Sequence, residues 1–173
     1  TSIVSGVAKA GKSVQMRYED LDALARHPEI GGLSPEAVLW SGRLAYQEKF
    51  AQSRVHGVSP EFESIRSLTL SDGRFINERD LNEARHVVVL GAEVKRRLFG
   101  GRSALHDVIT IQGTPFKVVG VMPKKEQNSM YYGPDDEMAL VPWTVSRQSF
   151  GLRYFDNLVL QPTNVLRYED TER

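Results

Sequence analysis

The sequence predicts a mixed domain in which many short strands outnumber a few short helices, and three observations lead there. Apolar runs are brief, the longest being Val87-Val88-Val89-Leu90. Gly- and Pro-bearing breaks separate them, and a helical period of three to four residues appears only in short stretches. The long helices that alternate with strands in nucleotide-binding sheets are missing. At 173 residues the chain suits one domain, or two small interlocked subdomains.

Residues 1–4 have strand character, and 14–17 are compatible with extended chain. Over 18–27 the apolar residues Tyr18, Leu21, Leu24 and Ala25 share one helical face, with Glu19, Asp20 and Asp22 in the first turns where the helix dipole favours acids. Pro28 ends that helix and Gly31-Gly32 is expected to turn. Residues 36–42 and 44–50 read as two strands with Ser41-Gly42 as the turn between them, and 54–58 as a third. Ser59-Pro60-Glu61 then supplies a cap, a first-position proline and an acid for a helix that buries Phe62, Ile65 and Leu68 or Leu70.

Leu70-Ser71-Asp72-Gly73 is a turn in which Gly73 serves a positive φ. Arg74 after it is expected to pair with Asp80 rather than with a ligand. Val87–Leu90 has the continuous apolar character of a strand covered on both faces. The next helix, Ala92–Phe99, buries Val94 and Leu98, gathers Lys95, Arg96 and Arg97 near its end and stops at Gly100-Gly101. Val108–Ile111 and 116–121 form a core strand pair across Gly113-Thr114-Pro115. Residues 138–141 are a strand, Pro142 opens a helix that runs through Ser149 to Gly151, and 156–161 are a last strand. Between them, 124–137 lose periodicity and form a long loop, with Asp135, Asp136 and Glu137 as solvated acids. Met130, Tyr131 and Tyr132 in that loop are either a partner-contact patch or fold back onto the domain.

Composition excludes several functions. Lys plus Arg equals Asp plus Glu at 22 each, so no global field recruits nucleic acid, and no nucleic-acid partner is expected. Cysteine is absent, which removes disulfides, thiolate nucleophiles and Cys-based metal sites together. The apolar runs fall far short of the roughly 18 residues of a membrane-spanning helix, so the chain is expected to be soluble as it stands. No basic start followed by an apolar core marks a secretion signal. His27, His56, His86 and His106 stand apart in sequence, with no paired-His or nucleophile motif around them, so neither catalysis nor a metal site is expected.

One motif argues otherwise. Gly6, Gly11, Lys12 and Ser13 match G-x-x-x-x-G-K-[ST], the loop that cradles phosphates with its backbone N–H groups and Lys while Ser holds magnesium. The helix should begin at that Lys-Ser pair. Magnesium also needs an acid closing an apolar strand, whereas Val87–Leu90 runs into Gly91. The stretch therefore reads as a Gly- and Lys-rich connector, with nucleotide binding as the alternative. A free-standing ligand-binding module, with an apolar pocket near Tyr131 and Tyr132, is a further alternative.

The fifty residues from Gly73 to Met122 string together a Gly73-Arg74-Phe75 turn, an acid at Asp80, a VVVLG strand, a helix ending LFG and ITIQGTPFKVVGV. Val58-Ser59-Pro60-Glu61-Phe62 precedes them, and Gly133-Pro134-Asp135-Asp136 then Val141-Pro142 follow. This order resembles the extracytoplasmic core domain of MacB/FtsX-type ABC transporter permeases across most of the chain. The resemblance implies an α+β fold: a porter-like subdomain from residues 1–67 plus 143–173, and an inserted β-rich subdomain from 68–142. It implies a non-catalytic domain without cofactors, set between the first transmembrane helix and the others of a permease in the cell inner membrane. ATP hydrolysis would belong to a separate cytoplasmic domain. Expected partners are the transmembrane helices and ATP-binding subunit, a second permease, and a membrane-fusion adaptor, lipoprotein or cell-wall hydrolase outside the membrane. Family members usually enter a longer helix where the polar tail 163–173 stands.

Overall fold

The chain opens with four short strands, β1 (Ser2–Ser5), β2 (Ala8–Lys9), β3 (Lys12–Ser13) and β4 (Met16–Arg17). The structure is a computed structural model that describes residues 2–5, 8–9, 12–13, 16–124 and 137–162. A 3-10 turn (Tyr18–Asp20) leads into helix α1 (Leu21–Ala25), and Tyr18 and Leu21 face inward as their spacing predicts.

Strand β5 (Ile30–Tyr46) runs for 17 residues, and it corrects two sequence expectations. Gly31-Gly32 does not turn but lies within β5, where a register shift against the last strand of the chain absorbs one residue. Ser41-Gly42 does not turn either: it is a bulge between Leu39 and Gly42. Glycine stands at 42 because a Cβ there would come within 2.7 Å of Val55 Cγ2. The reversal falls instead at Gln47-Glu48, with Gln47 at φ 55°, and leads into β6 (Lys49–Val58).

Helix α2 (Glu61–Ile65) begins after Pro60 without a side-chain cap. Ser59, expected as that cap, instead donates its N–H to Ser34 Oγ (3.0 Å), and its carbonyl accepts from Phe62 N (3.1 Å). After β7 (Asp72–Gly73) come α3 (Glu78–Asn82), β8 (Val87–Leu90), α4 (Ala92–Phe99), β9 (Val108–Ile111) and β10 (Thr114–Val121). The β9–β10 turn sits at Gln112-Gly113, φ 52° and 80°, one residue earlier than expected, so that Thr114 and Pro115 belong to the strand. The chain closes with β11 (Met138–Pro142), α5 (Trp143–Phe150), β12 (Tyr154–Phe155) and β13 (Asn157–Pro162).

The pairings close a ring of strands: β5 with β6, β6 with β11, β11 with β8, β8 with β10, β10 with β9, and β9 back to β5. The first half of β5 lies outside the ring and pairs with β13, which pairs in turn with β1. β5 thus belongs to the ring at one end and to a sheet of both chain ends at the other. Two two-stranded ribbons, β2–β3 and β4–β12, flank this arrangement.

Alternation along the ring strands sorts side chains into two cores. Val88 and Leu90 of β8, Ala139 and Val141 of β11, and Leu44 and Val55 join Phe116, Ile109 and Ile111 in one cluster, to which α4 adds Val94 and Leu98. Val87 and Val89, Met138 and Leu140 point the other way, onto Phe62 and Ile65 of α2. That is why β8 reads as unbroken apolar: its two faces serve two cores. Each such fully buried Val or Leu contributes about 1.5–3 kcal/mol. A third cluster, of Tyr18, Leu21, Ala37, Phe155 and Leu158, joins α1 to the sheet of the chain ends.

Candidate functional site

The described residues of the phosphate-loop match lack the geometry of a phosphate site. Lys12 and Ser13 lie on β3, paired across a short ribbon with Lys9 and Ala8, where the motif needs the Lys-Ser pair to open a helix. Gly6 and Gly11 lie outside the described residues, as do Met130, Tyr131 and Tyr132. Glu19, Asp20 and Asp22 do not converge with further ligands, and among the described residues no group of three or more metal-capable side chains comes together.

Arg74 and Asp80 meet as the sequence predicts. Asn77 caps α3 by accepting from Asp80 N (2.9 Å), and Asp80 Oδ2 accepts in return from Asn77 N (3.0 Å). The same carboxylate, with no accessible surface, takes both arms of the Arg74 guanidinium, at 2.6 and 3.3 Å. Gly73 at φ 73° brings this turn onto β10, where a Cβ would lie 2.1 Å from Val119 O. The arrangement is a backbone clamp with its fork already filled.

One buried polar cluster escaped the sequence reading. His56 Nδ1 lies 2.8 Å from Glu36 Oε2 with both side chains 1% exposed, and Asn157 Nδ2 donates to Glu36 Oε1 at 3.2 Å. Asp156 beside it accepts from Val38 N at 2.7 Å. These bonds tie β5, β6 and β13 together where β5 passes from one sheet to the other. Residue spacing could not reveal the pair, because it depends on the register that sets Val38 opposite His56. Two other histidines serve local contacts: His27 accepts from Glu29 N, and His86 stacks on Phe116 at 5.0 Å.

Two clefts open on the surface near α1. One, of about 330 Å³, is lined by Leu21, Ile30, Leu33, Leu81 and Trp143, with Asp22, Glu61 and Glu78 among them. Burial, and then the neighbouring Glu78 carboxylate, pushes the Glu61 carboxyl above the usual carboxylate range. The other, also about 330 Å³, is lined by Arg17, Glu19, Arg147, Arg153 and Tyr154. Among the described residues, no nucleophile is paired with a base in either lining.

Comparison with known proteins agrees with the resemblance. The family profile described as MacB-like periplasmic core domain matches residues 2–172. The chain is 31% identical over 164 residues to the macrolide export ATP-binding/permease protein MacB of Bdellovibrio bacteriovorus, covering 91% of this chain and 24% of that protein. It is 27% identical over 159 residues to the pyoverdine export ATP-binding/permease protein PvdT of Pseudomonas aeruginosa, covering 90% and 23%. It therefore spans about a quarter of the length of these curated relatives. The crystal structure of the periplasmic region of MacB from Actinobacillus actinomycetemcomitans shares the fold with a TM-score of 0.79 at 19% identity, covering 98% of this chain and 78% of that one. The extracellular domain of the transporter YknZ from Gram-positive bacteria shares it with a TM-score of 0.78 at 19% identity, covering 98% and 86%. The fold is α+β, and among the described residues no helix is long and apolar enough to cross a membrane. With the profile matched from end to end, the chain belongs to the family of MacB-like periplasmic core domains of ABC transporter permeases.

Proposed function

We propose that this domain transmits conformational change: ATP binding and hydrolysis in a separate cytoplasmic domain move transmembrane helices, and this domain carries that movement outward to a substrate or partner protein. The observation that carries the reading is β5. Its first half is hydrogen-bonded into the sheet of both chain ends, and its second half is built into the closed ring. Seventeen extended residues reach up to roughly 55 Å. Displacement of the paired β1 and β13 is thereby passed to the ring without an intervening hinge loop. Pairing of Ser2 with Leu160 also supports the reading, since the first and last strands leave the domain side by side, as a domain set between membrane helices requires.

In this reading residues 1–67 with 143–173 form the porter-like subdomain and 68–142 the β-rich insertion. The sheet β1–β13–β5 supports the joining of the two chain ends, while β8 to β11 come from the insertion. The parent protein resides in the cell inner membrane and works as a permease dimer with its ATP-binding subunit. Its cargo is efflux substrate, lipoprotein or a cell-wall hydrolase signal, delivered with a periplasmic protein such as a membrane-fusion adaptor.

The test uses the full transporter in lipid, with spin labels at Val108 on the outer wall of the ring in both permeases of the dimer. The distance between labels should change on trapping the ATP-bound state. An unchanged distance, alongside measured ATP turnover, sinks the proposal.

A further inference from the structure

The cleft lined by Arg17, Glu19, Arg147, Arg153 and Tyr154 brings three guanidiniums against one carboxylate, in a chain whose charges balance overall. The residues come from three places. Arg17 stands directly opposite Tyr154 in the β4–β12 ribbon, Arg147 is on α5, and Arg153 lies between α5 and β12. Aromatic rings back two of the three. The Arg17 guanidinium carbon is 5.9 Å from the Tyr154 ring centroid, and that of Arg147 is 5.7 Å from the Tyr18 ring. Tyr18 in turn is stacked on Trp143 at 4.5 Å with 13° between the planes. A guanidinium lying on an aromatic ring keeps its edge, and therefore its fork of N–H donors, free for a ligand. Glu19 does not fill those forks: its Oε1 lies 3.7 Å from Arg147 Nη2, beyond hydrogen-bond reach, with both side chains about half or more exposed. Asp20, the next carboxylate, bonds the backbone N–H of Arg17 at 3.3 Å.

We infer that this cleft is a docking site for an acidic segment of a partner protein, whose Asp or Glu carboxylates enter the arginine forks. Forked guanidiniums match carboxylates two bonds at a time, and a cleft of about 330 Å³ admits one or two side chains rather than a bulky ligand. Glu19 in the lining favours singly charged carboxylates, which can sit between like charges, over a compact dianion. The choice of a partner protein as the occupant rests on the proposed function, and the vesicle arm below tests a lipid headgroup against it.

The experiment titrates the full chain with a Gly/Ser peptide carrying four spaced Glu residues, with its Gln twin, with inorganic phosphate and with phosphatidylglycerol vesicles. The readout is the arginine Nε–Hε signals in NMR spectra. The Glu peptide should move the signals of Arg17, Arg147 and Arg153, and the Gln twin should leave them in place. Arg17→Gln with Arg153→Gln should weaken the Glu peptide at least about tenfold with an unchanged unfolding midpoint. Arg153→Lys, which keeps charge but loses the fork, should weaken it by a smaller factor. Equal response to both peptides, undiminished binding by the double variant, or a stronger response to phosphate or vesicles overturns the inference. No membrane helix or ATP enters the titration, so its outcome is independent of whether the domain transmits motion.

Discussion

Asp80 is buried completely, yet its carboxylate and N–H hold four bonds: two from the Arg74 guanidinium, one from Asn77 N and, through the N–H, one to Asn77 Oδ1. Asp80→Ala removes the reciprocal arm of the α3 capping box, the bond from Asn77 N, and leaves the half-exposed Arg74 without its partner. It should destabilise the domain by about 2–3 kcal/mol, read by urea unfolding; a loss under about 0.5 kcal/mol would show the clamp to be ornamental. Tyr18 carries a different signature. Burial, opposed by the nearby Ser146 hydroxyl and reinforced by the Asp156 carboxylate, pushes its hydroxyl up to about 12. In the unfolded chain Tyr18 ionises near its usual value of about 10. Stability is therefore complete below pH 10 and falls as pH rises towards 12, by about 2–3 kcal/mol. Tyr18→Phe should flatten that alkaline decline, and at neutral pH should be neutral or stabilise by up to about 1 kcal/mol. A variant that still loses stability between pH 10 and 12 to the same extent excludes Tyr18 as the cause. At this scale the sequence showed Arg74 with Asp80, because both sit in one local turn. It hid Glu36 with His56, and the three arginines around Tyr154, because those depend on strand register and on elements far apart in the chain.

Among the elements, α5 packs on β6 through Gly57, where a Cβ would meet Ser146 Oγ at 2.1 Å and Ser146 Cβ at 2.8 Å. Gly57→Ala should destabilise by about 2–3 kcal/mol through overpacking. Adding Ser146→Gly should recover part of the loss, a coupling that two independent substitutions would not show. Elements bounded by strong local chemistry were readable to within a residue. Helix α4 runs as expected from Ala92 to Phe99, with Lys95 Nζ donating to Gly100 O (2.9 Å) and Arg96 and Arg97 pairing with Glu93. Helix α5 ends at Gly151 in the left-handed conformation. The two misplaced turns at Gly31-Gly32 and Ser41-Gly42 share one cause: a glycine was read as a reversal. Gly42 instead grants close approach of Val55 across a bulge, and the true reversal at Gln47-Glu48 carries no Gly, Pro, Asn or Asp to announce it.

For the whole molecule, two joins of the ring are only two residue pairs long, β8 with β11 and β9 with β5. β9 meets β5 only at Leu44 with Ile111 and Ala45 with Thr110, assisted by Arg43 and Gln112, which exchange backbone and side-chain bonds at 2.9 and 2.8 Å. β8, by contrast, is held on both edges and buried on both faces. Native-state hydrogen exchange should find the β8 amides opening only with global unfolding and those of the β5–β9 seam opening at lower free energy. Equal protection would mean that the ring opens as one unit. Ring closure itself was invisible in the sequence, because it depends on parallel pairings between distant segments, β6 with β11 and β8 with β10. The same pairings set a schedule for the newborn chain. Arg54 finds Met138 only after 84 further residues have been made, and Ser2 finds Leu160 only after 158. At about 5–20 residues per second, the β5–β6 hairpin waits several seconds with one edge open. High sequence separation slows folding further. A chain of this topology stays pliable until β11 and β13 have both been made, and its ring and end sheet become rigid only when those strands pair.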